Sequence, residues 1–418
     1  MTGTGARNGR RAERPAPELI ESIDLAAAGR AVAGGVRRTP TIDCPGLGEL
    51  LGSPVALKAE SLQATGSFKL RGALSRIAAL GDRAAAGLVT ASAGNHGRAV
   101  AAAARLRGLE CEVFMPQDAA VSKVLAVEAL GAQVSLGGAS VDEALEHAID
   151  RGGQTGAAFV HPFDDLDVIA GQGTLGLELL EQVPGLARVI VPIGGGGLAA
   201  GVGVALRDAG RPVELIGVQA SACAPYADAL AGRPAHPASA ATIADGIAIK
   251  RPGALTLPLL RELVSGVLTV AEDQIAAGMV YLAEEAKLIS EGAGAVGVAV
   301  LLAGMLGPTD GTTVVIVSGG NVDSGLLAAL LLRHETEEGR RIRLFTRVPD
   351  RPGGLAELLG LVARAQANVV SVEHLREAVA LHVRETGVEL TLETRGPKHT
   401  ELLLAALAEA GYEASIAG

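Results

Sequence analysis

One lysine of this chain stands where a helix should begin. In Thr65-Gly66-Ser67-Phe68-Lys69-Leu70-Arg71-Gly72-Ala73, Ser67 after Gly66 reads as a helix N-cap, and Leu70, Ala73, Leu74 and Ile77 follow at helical spacing. Lys69 is thereby set in or just before a first helical turn, where a cation opposes the helix dipole. Lysine occurs otherwise only as Lys58, Lys123, Lys250, Lys287 and Lys398, and arginine supplies most of the 36 basic residues. A primary amine at so unfavourable a spot suggests a task that a guanidinium cannot do, such as forming a Schiff base. The plainer alternative is a surface lysine beside Arg71.

Three further turns carry small or polar residues. Thr90-Ala91-Ser92-Ala93-Gly94-Asn95-His96-Gly97 links a strand to a helix expected over Arg98–Arg107. Its small residues let backbone N–H groups approach a ligand, and the helix N-terminus favours an anion such as a carboxylate. Pro192-Ile193-Gly194-Gly195-Gly196-Gly197-Leu198 is the strongest local signal, because consecutive glycines are entropically unfavourable unless the backbone wraps something. Between a strand and a helix, they make a phosphate cradle of main-chain donors. Gly194, Gly196 and Ala199 also satisfy a loose dinucleotide fingerprint, but the next strand ends at Gln219, with no carboxylate to hold a ribose. Ser318-Gly319-Gly320-Asn321 offers one hydroxyl followed by flexible backbone, and taken alone reads as a structural turn.

The elements that must position these turns are short β-branched runs alternating with helical segments. Runs near Val55, Leu88, Cys111, Ala132, Val189, Leu215 and Thr313 are separated by helices expected at 98–107, 122–130, 141–151, 169–181, 198–207 and 274–289. That alternation predicts an α/β fold with parallel sheet, in which ligands bind beyond the carboxyl ends of the strands. Residues 1–17 read as a disordered arm, and Glu335 to Arg341 as a charged linker after a helix over 323–334. Beyond it, strands at 342–346, 368–372, 380–384 and 388–394, helices at 353–366 and 399–411 and a last strand near Tyr412 resemble a ferredoxin-like β-α-β-β-α-β unit.

Composition narrows the function. With 46 acidic against 36 basic residues and only 2% aromatics, the chain lacks the surface that nucleic acid requires. No apolar stretch reaches the ~18 residues of a membrane span, and Gly292 to Gly307 reads as a buried helix. Cys44, Cys111 and Cys223 suggest neither a disulfide framework nor a zinc site, so a reducing cytoplasm is expected.

Taken in order, the four turns resemble the threonine and serine dehydratase family of pyridoxal 5'-phosphate enzymes, over residues 18 to about 332–334. The likeness extends to His161-Pro162-Phe163-Asp164-Asp165 and Gly171-Gln172-Gly173-Thr174, read as structural, and to Thr242-Ile243-Ala244-Asp245-Gly246-Ile247. It implies the fold of the tryptophan synthase β chain, fold type II, with two parallel-sheet subdomains, the smaller at about 54–154. Val348-Pro349-Asp350-Arg351-Pro352-Gly353-Gly354-Leu355 resembles the start of an ACT domain, a regulatory or assembly module at 342–418.

Carried over by this resemblance, Lys69 is the Schiff-base lysine and Phe68 lies beside the cofactor ring. Asn95 bonds the cofactor's 3-oxygen, Gly194, Gly195, Gly196, Gly197 and Leu198 hold its phosphate, and Ser318 faces the pyridine nitrogen. Thr65, Ser92, Gly94 and Asn95 are expected to take the substrate carboxylate. The implied reaction is β-elimination of L-threonine to 2-oxobutyrate and ammonia, with L-serine also a substrate. A serine or hydroxyaspartate ammonia-lyase and a catalytically silent amino-acid sensor are the alternatives. Ala93 replaces the second hydroxyl of racemases in this family, so racemisation is not expected. Gln219 stands where members with a divalent-cation site have a carboxylate, so no tight metal site is expected. A homodimer or homotetramer is expected; if the ACT domain takes an amino-acid effector, isoleucine is the first to try.

Overall fold

The computed structural model describes residues 15–234, 242–375 and 384–416. The expected arm therefore lies outside the described residues up to position 14, but Ala16 and Pro17 already belong to helix Ala16–Glu21. The chain divides into two compact units, Met1–Val322 and Asp323–Gly418.

In chain order, the first unit contains β1 (Thr41–Asp43), β2 (Val55–Ala59), β3 (Leu88–Ala91), β4 (Cys111–Met115), β5 (Gln133–Leu136), β6 (Ala158–Phe159), β7 (Leu186–Pro192), β8 (Glu214–Ala220), β9 (Gly266–Val270) and β10 (Thr312–Val317). They build two sheets, ordered β1-β2-β10-β7-β8-β9 and β5-β4-β3-β6. Both are parallel except for β1, which pairs antiparallel with β2 at an edge. The continuous apolar runs of β7 and β10 are buried, as strands covered on both faces should be.

The smaller sheet does not match the expected span of 54–154. Val55–Ala59 pairs with β10 in the larger sheet, and the smaller one closes with Ala158–Phe159. Strands β1, β6 and β9 were not foreseen, because two of them are very short and β9 has only partly buried side chains before Val270. Helix Glu272–Glu284 stops short of the expected Ile289, and Lys287 adopts a left-handed φ of 55°. The helix expected from Arg98 begins at Asn95, and the buried apolar helix expected at 292–307 spans Gly292–Leu302.

The second unit opens with helix Ser324–Glu337, which absorbs the first part of the expected linker. Then come β11 (Arg341–Pro349), helix Gly354–Arg364, β12 (Asn368–Leu375), β13 (Glu385–Glu393), helix Pro397–Glu409 and β14 (Ser415–Ile416). The order β12-β13-β11-β14 is that of a ferredoxin-like unit, with every pairing antiparallel. Of the strand expected at 380–384, residues 380–383 lie outside the described residues, and Arg384 precedes β13.

Candidate active site

Lys69 is the first residue of helix Lys69–Leu80, but Ser67 does not cap it. Phe68 occupies the capping position, while Ser67 bridges Gly319 and its hydroxyl is buried with no partner among the described residues. The bridge decides this: Phe68 N–H donates to Ser318 O at 3.1 Å, and Gly320 N–H to Gly66 O at 2.9 Å. The lysine turn and the Ser318 turn are thus sewn together by main chain.

The Lys69 amine donates to Pro162 O at 2.8 Å and lies 5.2 Å from the Phe68 ring centroid. Burial lowers its pKa to about 8 against the opposing pull of Glu291, so a useful fraction is neutral near neutral pH. Burial and the Lys69 charge together hold His96 down to about 3, and its neutral ring lies 3.0 Å from Val160 O.

Asn95 is the first residue of helix Asn95–Arg107. Its Nδ2 donates to Glu291 Oε1 at 2.7 Å, and its Oδ1 accepts from Asn321 Nδ2 at 2.7 Å. Asn321 Nδ2 also donates to Thr65 O at 2.9 Å, and Asn321 Oδ1 accepts from Arg98. Ser92 Oγ accepts from Gly94 N–H at 3.1 Å at the helix entry. Thr65, Gly94, Asn95 and the Ser318 turn are therefore one connected group.

Sequence reasoning missed Glu291, and it gave Asn321, though quoted in the Ser318 turn, no role. Glu291 is buried, and burial and then Asp245 raise its pKa to about 7 against the pull of Asn95, Lys123 and Lys69. The available signal was an acidic residue immediately before an apolar helix, at Ser290-Glu291-Gly292. His161 to Asp165, expected to be structural, also borders the site through Pro162. His161 Nδ1 accepts the Phe163 and Asp164 N–H groups, shaping that turn.

The glycine loop follows β7 and opens helix Gly197–Asp208, in which Leu198 is buried. A Cβ at Gly195 would collide with the Phe163 ring, and one at Gly197 would lie 3.0 Å from Phe163 O. Gly196 has φ 87°, a conformation that favours glycine. Among the described residues nothing accepts from the N–H groups of Gly194 to Gly197. Four bare donors at a helix N-terminus fit a phosphate, and the Pro162–Phe163 step spans from that cradle to the Lys69 amine. These residues fit pyridoxal phosphate, which carries an aldehyde for the amine and a phosphate for the loop.

Residues 32–319 match the family described as pyridoxal-phosphate dependent enzyme, and residues 342–411 match the ACT domain. An L-threonine ammonia-lyase of Thermotoga maritima is 43% identical over 402 residues, covering 96% of this chain and 100% of the relative. The chain belongs to the threonine ammonia-lyase family of pyridoxal-phosphate-dependent enzymes. A threonine deaminase from Solanum lycopersicum has a similar structure, with TM-score 0.70 and 31% identity over 79% of this chain and 98% of that one. Maize serine racemase is also similar, with TM-score 0.69 and 35% identity over 76% and 98% of the two chains. No helix among the described residues is long and apolar enough to cross a membrane.

Proposed function

We propose that the protein converts L-threonine to 2-oxobutyrate and ammonia by β-elimination, with pyridoxal phosphate held between Lys69 and the glycine loop. The observation that carries this reading is the half-buried Lys69 amine one turn of chain, Pro162–Phe163, away from four unpaired N–H donors. When bound, the cofactor supplies an electron sink for the electrons of the substrate Cα–H bond. Lys69 would hold the cofactor through its aldehyde, and the same amine, when free, would serve as the base for the substrate Cα proton, a role suited to a pKa near 8. Gly194, Gly195, Gly196 and Gly197, with Leu198, would hold the phosphate, and Phe68 would flank the ring.

Asn95 keeps one amide hydrogen for the cofactor's 3-oxygen, because its other commitments go to Glu291 and Asn321. Ser318 would offer its hydroxyl to the pyridine nitrogen; a hydroxyl would not force protonation there, which would favour loss of the β-hydroxyl over transamination. Thr65, Ser92, Gly94 and Asn95 receive the substrate carboxylate at a helix N-terminus. Ala93 has no group to return a proton from the opposite face, which separates this chain from racemases of similar fold.

The second unit carries a cleft of about 520 Å³ lined by Asp350, Arg351, Pro352, Gly353, His374 and Thr386, at the start of helix Gly354–Arg364. It suits the carboxylate of an amino-acid effector, isoleucine being the first to test, because it would be made from 2-oxobutyrate. The three buried free cysteines are consistent with a reducing cytoplasm. Assembly as a homodimer or homotetramer is checked by sedimentation.

The deciding experiment follows 2-oxo acid and ammonia from L-threonine, L-serine and hydroxyaspartate, with Lys69→Ala as control. Threonine is expected to turn over fastest and Lys69→Ala to abolish turnover. Retained turnover in Lys69→Ala would sink the assignment of the lysine; faster serine or hydroxyaspartate turnover would reassign the substrate.

A further inference from the structure

We propose that Tyr226 is a positioning residue for the cofactor phosphate: its hydroxyl, with the Gln219 amide, fixes which way the glycine loop turns its N–H groups. This rests on the reading of that loop as a phosphate cradle.

The chain has only 3 tyrosines, and Tyr226 is fully buried. Its hydroxyl donates to Gly195 O at 2.7 Å, accepts from Gly253 N–H at 2.9 Å and lies 2.6 Å from Thr256 Oγ1. A phenol has one proton. With that proton on Gly195 O, Thr256 must be the donor to Tyr226. Burial raises the Tyr226 pKa to about 12, so the donor survives across the working pH range.

Gln219 completes the arrangement. Its Nε2 donates to Ile193 O at 3.1 Å, while its Oε1 accepts the N–H groups of Tyr226 and Ala227, each at 3.0 Å. One side chain thus holds both the first carbonyl of the loop and the backbone that carries the tyrosine.

The consequence follows from peptide geometry. None of the described peptide bonds is cis, and in a trans peptide N–H points opposite to C=O. Holding Ile193 O and Gly195 O turns the N–H groups of Gly194 and Gly196 away from Gln219 and Tyr226. These are two of the four donors left without a protein acceptor. Without the two struts, the glycine peptides are free to rotate, and a carbonyl turned inward would repel the phosphate. Gln219 therefore has a task for both ends of its amide that a carboxylate could not perform, because a carboxylate cannot donate to Ile193 O.

The test compares two probes on the full-length protein after cofactor removal: pyridoxal phosphate and pyridoxal, which lacks the phosphate. Binding is read from visible absorbance. Tyr226→Phe is expected to weaken pyridoxal phosphate by about tenfold and to leave pyridoxal unchanged. Equal weakening of both probes, or of neither, would overturn the proposal. Gln219→Leu must show the same selective loss, and it decides the matter should Tyr226→Phe not fold. Wild-type protein that shows no preference for pyridoxal phosphate over pyridoxal would instead reject the cradle reading itself, a result seen before any variant is compared.

Discussion

Asn95 Nδ2 donates to Glu291 Oε1 at 2.7 Å, which ties the first residue of one helix to a buried carboxyl from a distant part of the chain. The same carboxyl faces Lys69, Lys123 and Asp245. With its pKa raised to about 7, Glu291 is neutral below that pH and ionised above it. A raised folded pKa means that the group's contribution is fully present below the ordinary carboxylate value and is lost as pH rises through about 7. Glu291→Gln keeps an oxygen for Asn95 and removes the titration. Its thermal stability should gain on the wild type as pH rises from 5 to 8, by up to about 3 kcal/mol. A difference that does not change with pH would refute the assignment.

Gly195→Ala places a methyl against the Phe163 ring. Overpacking of this kind costs about 1–3 kcal/mol, and relief can come only by moving the loop or the Pro162–Phe163 turn that holds Lys69. Cofactor retention on dialysis should fall more than the melting temperature does. Retention equal to wild type would show that the loop tolerates displacement.

Arg71, two residues after Lys69, is wholly buried between Glu60 and Glu178, at 2.8 and 2.7 Å. Lys58 meets Glu178 at 2.6 Å, and Thr39 donates to Glu60 at 2.5 Å. Burial alone would push Glu60 up, but the Arg71 charge and hydrogen bonds bring it below its usual value. Arg71→Met leaves Glu60 without its main partner and should destabilise the fold by about 3–5 kcal/mol, measurable by denaturant titration. Replacing Glu60 by Gln in the same chain should recover part of that loss; if it does not, the cluster is not electrostatic.

Ending the chain after Val322 removes the second compact unit, including helix Ser324–Glu337. Each unit has its own buried apolar cluster, so the first should keep threonine turnover. Any response of the full chain to isoleucine should disappear. An undiminished response in the shortened protein would place the effector site in the first unit.

The sequence by itself determined the parallel α/β alternation, the ferredoxin-like order that a family resemblance then named as an ACT module, and the turns around Lys69, Asn95, Gly194 and Ser318. These are local signals: strand and helix periodicities, and small residues at strand ends where backbone must approach a ligand. Tertiary structure alone decided the partners. Ser67 fails as a cap because its neighbours pair with the turn after β10, about 250 positions away, and main-chain pairing there displaces a local side-chain bond. Glu291 and Tyr226 escape notice in sequence, and Asn321 is seen there only as part of a turn, because a lone Glu, Asn or Tyr carries no periodic signal. Their roles arise only when folding removes water from the site, so that a buried donor or acceptor gains most from a partner brought in from a distant part of the chain.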